Sequence, residues 1–198
     1  MKIEVENISK RFGRQAIIKQ FSYTFLPNEK YVITGANGSG KSTLLKMLSG
    51  FLSYDSGEIN YTAGNQPISR EDINPYISFA APYLLIPEDL TIVEAIRFQR
   101  QFKTLSKSDV EIIAALQLPS NKKITELSSG MKQRLHLGLA FFSASPLLLL
   151  DEPTSFFDKE WKQKFQEWIK DANQTRTIIL CSNDEEEYIQ FTQQIRIA

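Results

Sequence analysis

The sequence predicts an α/β fold in which a parallel sheet carries helices, with antiparallel strands ahead of it and a mostly helical insertion within it. Three observations carry this. Beyond residue 30, strand-like runs alternate with helix-like ones. PLLLLDEP (146–153) is an apolar strand without polar alternation, as a parallel strand buried on both faces requires. The glycine-rich stretch from Gly35 to Gly40 stands between a strand and a helix.

Taken in order, residues 1–34 hold short runs that alternate apolar and polar positions (KIEVENI, AIIKQFSYTF, YVIT), as hairpin-forming strands do. Leu44, Leu45 and Leu48 recur at helical spacing after Lys41. GEINY (57–61) and YISFAA (76–81) read as strands with turn-rich sequence between them. Leu90-Thr91 opens a helical pattern that runs to about Phe102, and Ser106 to Asp109 supply caps for a further helix ending before Pro119. SSGMKQRLHLGLAFF (128–142) is helical by period. Lys159 to Ala172 is an amphipathic helix, with Trp161, Phe165 and Trp168 on its apolar face. TIILCS is the next strand, Asp184 to Ile189 a short helix, and QQIRIA the last strand. The helical insertion spans about 85–135.

With 198 residues, the chain is long enough for one domain, 1–198, with a substantial core. Lys+Arg and Asp+Glu both number 23, so there is no basic excess of the kind that marks nucleic-acid binding, and no nucleic-acid partner is expected. Cys181 is the only cysteine, which rules out an intrachain disulfide, and its apolar setting makes it an inert buried thiol. MKIEVENISK has no apolar stretch of the secretory type, and Leu135 to Leu150 is too short and too interrupted to span a bilayer. A cytoplasmic protein is expected, with any membrane role exercised through a partner.

The chemistry starts at GANGSGKS, which matches G-x-x-x-x-G-K-[ST] in its proper context of strand before and helix after. The residues are Gly35, Ala36, Asn37, Gly38, Ser39, Gly40, Lys41 and Ser42, with Thr43 following. Glycines let backbone N–H groups converge on phosphate oxygens, and the helix N-terminus adds a favourable dipole. Lys41 would reach the β- and γ-phosphates, and Ser42 would offer its oxygen to Mg²⁺. The pattern arises by accident on the order of once in a hundred chains of this length. A nucleotide site therefore follows from this stretch alone. Asp151 and Glu152 leave the apolar strand where phosphates would sit. Asp151 suits a Mg²⁺ ligand, and Glu152 suits the group that orients and deprotonates an attacking water.

Between these sites lies LSSGMKQR (127–134), and after the carboxylates comes PTSFFD (153–158). With the phosphate loop and the acidic pair, these motifs resemble the ATP-binding cassette (ABC) ATPases, whose signature reads L-S-G-G-Q and whose D-loop reads S-A-L-D. The ordered motifs cover nearly the whole chain. The resemblance implies a P-loop NTPase (RecA-like) core with an antiparallel β subdomain and a helical insertion. It also implies a head-to-tail dimer, homomeric or heteromeric, that holds two ATPs and Mg²⁺ at its interface. Ser128, Ser129 and Gly130 would then meet the partner's nucleotide in trans, with Asp158 in the D-loop. Phe12 stands where the family stacks an aromatic ring on adenine.

Three positions depart from the family. The signature carries Ser129 and Met131 for its second glycine and its glutamine. No glutamine lies between Gln66 and Gln99, so Pro82 (or Ala81) stands at the Q-loop position, which in the family also touches the transporter subunit. Asn183 stands where the family has its switch histidine. His136, the chain's single histidine, sits in the signature helix and cannot fill that place. Asparagine can donate a hydrogen bond to a γ-phosphate but cannot act as acid or base near neutral pH. With Lys41, Glu152 and Asn183 as the reacting set, slow but real hydrolysis is expected.

The function so implied is the ATP-binding and hydrolysing subunit of an ABC transporter, lying at the inner face of the membrane through a separate permease. Small size and the LSSGMKQR signature point by analogy to export. Two other readings stay open at this stage: a soluble ABC protein that works outside transport, and a nucleotide-binding regulatory module with little or no hydrolysis.

Overall fold

The computed structural model describes residues 1–172 and 176–197. Its elements follow in the order β1 (Lys2–Phe12), β2 (Gln15–Phe25), β3 (Lys30–Thr34), α1 (Lys41–Leu48), β4 (Ser56–Ala63), β5 (Gln66–Ile68), β6 (Ile77–Ala80), α2 (Ile92–Arg100) and α3 (Asp109–Leu116). Then come α4 (Ser129–Phe141), β7 (Leu147–Asp151), α5 (Lys159–Asp171), β8 (Thr177–Cys181), α6 (Glu185–Tyr188) and β9 (Gln193–Arg196). The α/β class holds, with one antiparallel and one parallel sheet.

The antiparallel sheet has the order β2-β1-β4-β5. β1 and β2 form the hairpin that the alternation predicts, paired from Ile3 with Phe25 to Phe12 with Gln15. Ile3, Val5 and Ile8 are buried beneath it. The three-residue β5 lies in the stretch that reads as turns, where its partner β4 supplies the pairing that so short a run cannot signal by itself.

The parallel sheet has the order β6-β7-β8-β3-β9. β3 departs from the hairpin reading of residues 1–34. All five of its residues are buried, and it pairs in parallel with β8 on one side and β9 on the other. Continuous burial, not alternation, is the mark of such a strand, and β7 and β8 share it. β9 covers Gln193–Arg196 of the QQIRIA run, while Ala198 lies outside the described residues.

The parallel sheet packs on both faces. On one, Ile33, Leu149 and Ile179 meet α1 and the antiparallel sheet. On the other, Leu148, Leu150, Ile178 and Leu180 meet α4 and α5, where Phe165 and Ile169 are fully enclosed. Trp161 is buried beside them, and Trp168 is partly buried against Phe141 and Phe142. A third cluster joins α2, α3 and α4 through Ile92, Ile96, Ile112, Leu116 and Leu135. Thr91 and Ser108 cap α2 and α3 in capping boxes with Glu94 and Glu111.

Strand order places the chemistry. β8 lies between β3 and β7, and all three run the same way. Their C-terminal ends therefore deliver Gly35–Ser42, Asp151-Glu152 and Ser182-Asn183 to one edge, the side of an open α/β sheet on which ligands bind.

Candidate functional site

The phosphate loop leaves β3 and enters α1 through Gly40, whose φ of 101° lies in the left-handed region. A side chain there would also strike Ile17, with a Cβ only 2.7 Å from its methyl carbon. Gly35 is held differently: a Cβ would lie 2.3 Å from the Ile197 carbonyl oxygen. Lys41 is buried, and its Nζ donates to the carbonyl oxygens of Gly35 at 2.7 Å and Ala36 at 3.2 Å. The ammonium is thereby folded over the loop's own carbonyls. Ser39 Oγ is buried without a hydrogen-bond partner and borders a separate pocket with Arg196 and Ile197.

A cleft of about 370 Å³ runs beside this loop, lined by Asn37, Gly38, Gly40, Lys41, Ser42 and Thr43 with Ile17 and Glu152. The structure thus brings Glu152 to the phosphate loop, across the sheet edge from β7. Glu152 has a φ of 44°, left-handed for a residue with a side chain, and its N–H is fixed to the Cys181 carbonyl at 2.9 Å. Asp151, one residue earlier, is buried, and its Oδ2 accepts from the Tyr83 hydroxyl at 2.9 Å. Burial, reinforced by the Asp151 charge, pushes the Tyr83 phenol well above its ordinary value and keeps it a proton donor.

Asn183 closes the third side. Its side-chain oxygen accepts from the Gly35 N–H at 3.3 Å, and its amide nitrogen donates to Asn37 Oδ1 at 3.4 Å. A polar cavity of about 320 Å³ opens beneath it, lined by Asn37, Glu152, Thr154, Lys162, Asn183 and Glu187 among others. Glu187 is buried there and accepts from the Thr154 N–H at 3.0 Å and from the Thr154 hydroxyl. Its other oxygen has no partner, and burial pushes its carboxyl up. Lys162 reaches in from α5 to Asp184 at 2.5 Å.

The signature residues and Asp158 do not line these cavities, whereas Thr154, Ser155 and Phe157 of the D-loop line the one beneath Asn183. Ser128 caps α4, its Oγ accepting from the Met131 N–H at 3.3 Å. Ser128 and Ser129 are exposed at that helix start, and the half-buried Gly130 passes so close to the D-loop that a Cβ would lie 3.1 Å from the Phe156 carbonyl. Asp158 caps α5 by accepting from the Trp161 N–H at 2.9 Å. Gln133 Nε2 donates to the Pro153 carbonyl at 2.9 Å, tying α4 to the exit of β7. Phe12 is 52% exposed at the end of the β1–β2 hairpin and does not line the phosphate cleft, where Ile17 of β2 stands instead. His136 is half-buried in α4, and the burial it has lowers its basicity.

The loop fits a nucleoside triphosphate: glycine-rich backbone, a lysine, a serine and the start of an eight-residue helix meet at one cleft. Among the described residues, no group of three or more His, Cys, Asp or Glu side chains is placed to hold a metal ion. Mg²⁺ needs only one or two protein oxygens and takes the rest of its shell from phosphates and water. Asp151 and Ser42 are of that type. Two residues of this site escape the motifs. Tyr83 is the one polar-tipped side chain in APYLLIP, and Glu187 is one acid among four in DEEEY.

Comparison with known proteins bears on the family and the fold. A family model described as ABC transporter matches residues 18–155. The chain is 29% identical over 198 residues to the linearmycin resistance ATP-binding protein LnrL of Bacillus subtilis (strain 168), covering 96% of this chain and 63% of that protein. It is 30% identical over 205 residues to the spermidine/putrescine import ATP-binding protein PotA of Mycoplasma mycoides subsp. mycoides SC, covering 98% of this chain and 57% of the other. The chain thus spans about three-fifths of the length of these relatives. Its fold matches that of a putative ABC transporter ATP-binding protein from Pyrococcus furiosus, with a TM-score of 0.82 at 23% identity over 100% of this chain and 98% of that one.

Proposed function

The chain belongs to the ABC transporter family, and on that premise we propose that it binds and hydrolyses ATP as the nucleotide-binding subunit of a transporter whose membrane permease is a separate chain. One observation carries this reading: the phosphate loop, Asp151-Glu152 and Asn183 stand on a single sheet edge, with Glu152 lining the same cleft as Lys41 and Ser42.

Lys41 would turn from the Gly35 and Ala36 carbonyls to the β- and γ-phosphates, and the loop N–H groups and α1 would hold their oxygens. Ser42 and Asp151 would hold Mg²⁺, which neutralises charge developing between the phosphates. Glu152 takes the proton of the attacking water. Asn183 would steady the γ-phosphate with its amide N–H and add no acid–base chemistry. Phe12 is proposed to stack on the adenine. Loss of a Q-loop glutamine and a switch histidine supports a slow turnover.

The exposed start of α4, with Ser128, Ser129 and Gly130, suits a γ-phosphate presented by a second cassette, alike or different, and Asp158 borders the same face. No helix among the described residues is long and apolar enough to cross a membrane. We assign the permease contact to the groove of about 230 Å³ bordered by Phe51, Phe79, Leu84, Leu85 and Ile86, where Phe51 is 75% and Leu85 88% exposed. Export is the proposed direction, supported by the likeness to a resistance protein, although the other relative is named for import.

The test is steady-state ATPase activity of the wild type, Lys41→Ala and Glu152→Gln, with co-purification from membranes. Nucleotide binding lost in Lys41→Ala, and turnover lost with binding retained in Glu152→Gln, are the expected results. An unchanged rate in Glu152→Gln would overturn the assignment of the base.

A further inference from the structure

Tyr83 lies between β6 and α2, one residue beyond the place where the family's glutamine would fall, and it ties three elements together. Its hydroxyl donates to Asp151 Oδ2 on β7 at 2.9 Å. Its ring lies under Lys46 Nζ of α1, 3.8 Å from the centroid, and meets the Phe79 ring of β6 edge-on at 6.2 Å. The ring is thus held by contacts to both α1 and β6, and the phenol is the only side-chain donor to that carboxylate among the described residues.

A buried carboxylate with one oxygen engaged presents the other in a defined direction. Metal-ligating carboxylates are commonly oriented by such outer hydrogen bonds. We propose that Tyr83 is a positioning residue of the metal–nucleotide site, its phenol fixing the Asp151 side chain so that the free oxygen faces the cation, in place of the contact that a Q-loop glutamine would make. The proposal rests on the reading of Asp151 as the Mg²⁺ ligand. The neighbouring Leu84 to Ile86 border the exposed apolar groove. A single hydrogen bond therefore joins the acidic pair to the loop that forms the groove wall.

The experiment uses the full chain in the Glu152→Gln background, so that turnover does not intervene, and measures Mn²⁺ binding to the ATP complex by the electron-paramagnetic-resonance signal of free Mn²⁺. Tyr83→Phe removes one oxygen and keeps the ring. It is expected to weaken Mn²⁺ binding roughly 10- to 100-fold, the usual cost of losing an outer-shell partner, while ATP affinity without metal stays within twofold. Asp151→Asn should weaken Mn²⁺ binding at least as much, and adding Tyr83→Phe to it should cost nothing more. Unchanged or tighter Mn²⁺ binding in Tyr83→Phe overturns the proposal, as does an additive loss in the double variant or an equal loss of metal-free ATP affinity. Wild-type Mn²⁺ binding in Asp151→Asn would instead remove the metal assignment itself.

Discussion

Glu152 holds its side chain at a φ of 44°, a conformation that costs an ordinary residue roughly 1–2 kcal/mol. The backbone keeps it there through the N–H bond to Cys181, so the carboxylate is turned out of the β7 line and into the phosphate cleft. Backbone strain retained beside a cleft is typical of a group placed for chemistry. If Glu152 is the base proposed above, Glu152→Gln is expected to lower the ATPase rate by about 10²- to 10⁴-fold, read as phosphate release at saturating ATP, with nucleotide affinity preserved. The neighbouring positions show the limits of motif reading at this scale. Lys41, Ser42, Asp151 and Glu152 are found by pattern because their chemistry dictates their spacing. Tyr83 and Glu187 are not, because each works through a partner far along the chain, Asp151 and Thr154 respectively.

At the scale of elements, α4 joins the signature to the body of the protein. Its capping serine, the Gln133 bond to Pro153 and the stacking of Arg134 over Trp161 at 4.4 Å fix its start against the D-loop and α5. His136 lies on the same helix, and burial holds its imidazole below the ordinary value of 6.5, with the Lys132 charge adding to the effect. The sign follows from linkage. The unfolded chain takes up a proton near pH 6.5 while the folded one resists it, so stability is complete above that value and falls as pH drops below it. Chemical denaturation at pH 7.5 and pH 5.5 is expected to show this loss in the wild type and a smaller one in His136→Gln. The cap of α3 was legible in Ser106 to Asp109 because capping is local chemistry. The role of β3 was less so, since its partners β8 and β9 lie about 150 residues further on and only their pairing shows that it is central.

For the whole molecule, the proposed reading makes the nucleotide-facing edge half of a site. The phosphate loop, Asp151, Glu152 and Asn183 converge within one chain, whereas the start of α4 stays exposed and lines neither cavity. The Glu152→Gln variant with Mg²⁺-ATP is therefore expected to sediment at twice the monomer mass, or to do so only with a second cassette of another type. Lys41→Ala should stay monomeric under both conditions. Light scattering with and without ATP reads the difference. Sheet order could not be read from the chain, because it is decided by which buried strands lie side by side. Once β8 is placed between β3 and β7, the meeting of three separate motifs follows.

Cys181 gives that central strand a built-in clock. The chain's single thiol is fully enclosed at the end of β8, with its sulfur 3.5 Å from the Lys41 carbonyl at the root of the phosphate-loop helix. An alkylating or disulfide reagent can reach it only when the sheet and α1 part, so the rate of its modification counts those openings. If opening also dismantles the nucleotide site, ATP present at a hundred times its dissociation constant should slow the modification about 100-fold. The cysteine takes no part in the chemistry, yet its reactivity would report, without any label added, how tightly nucleotide locks the strands together.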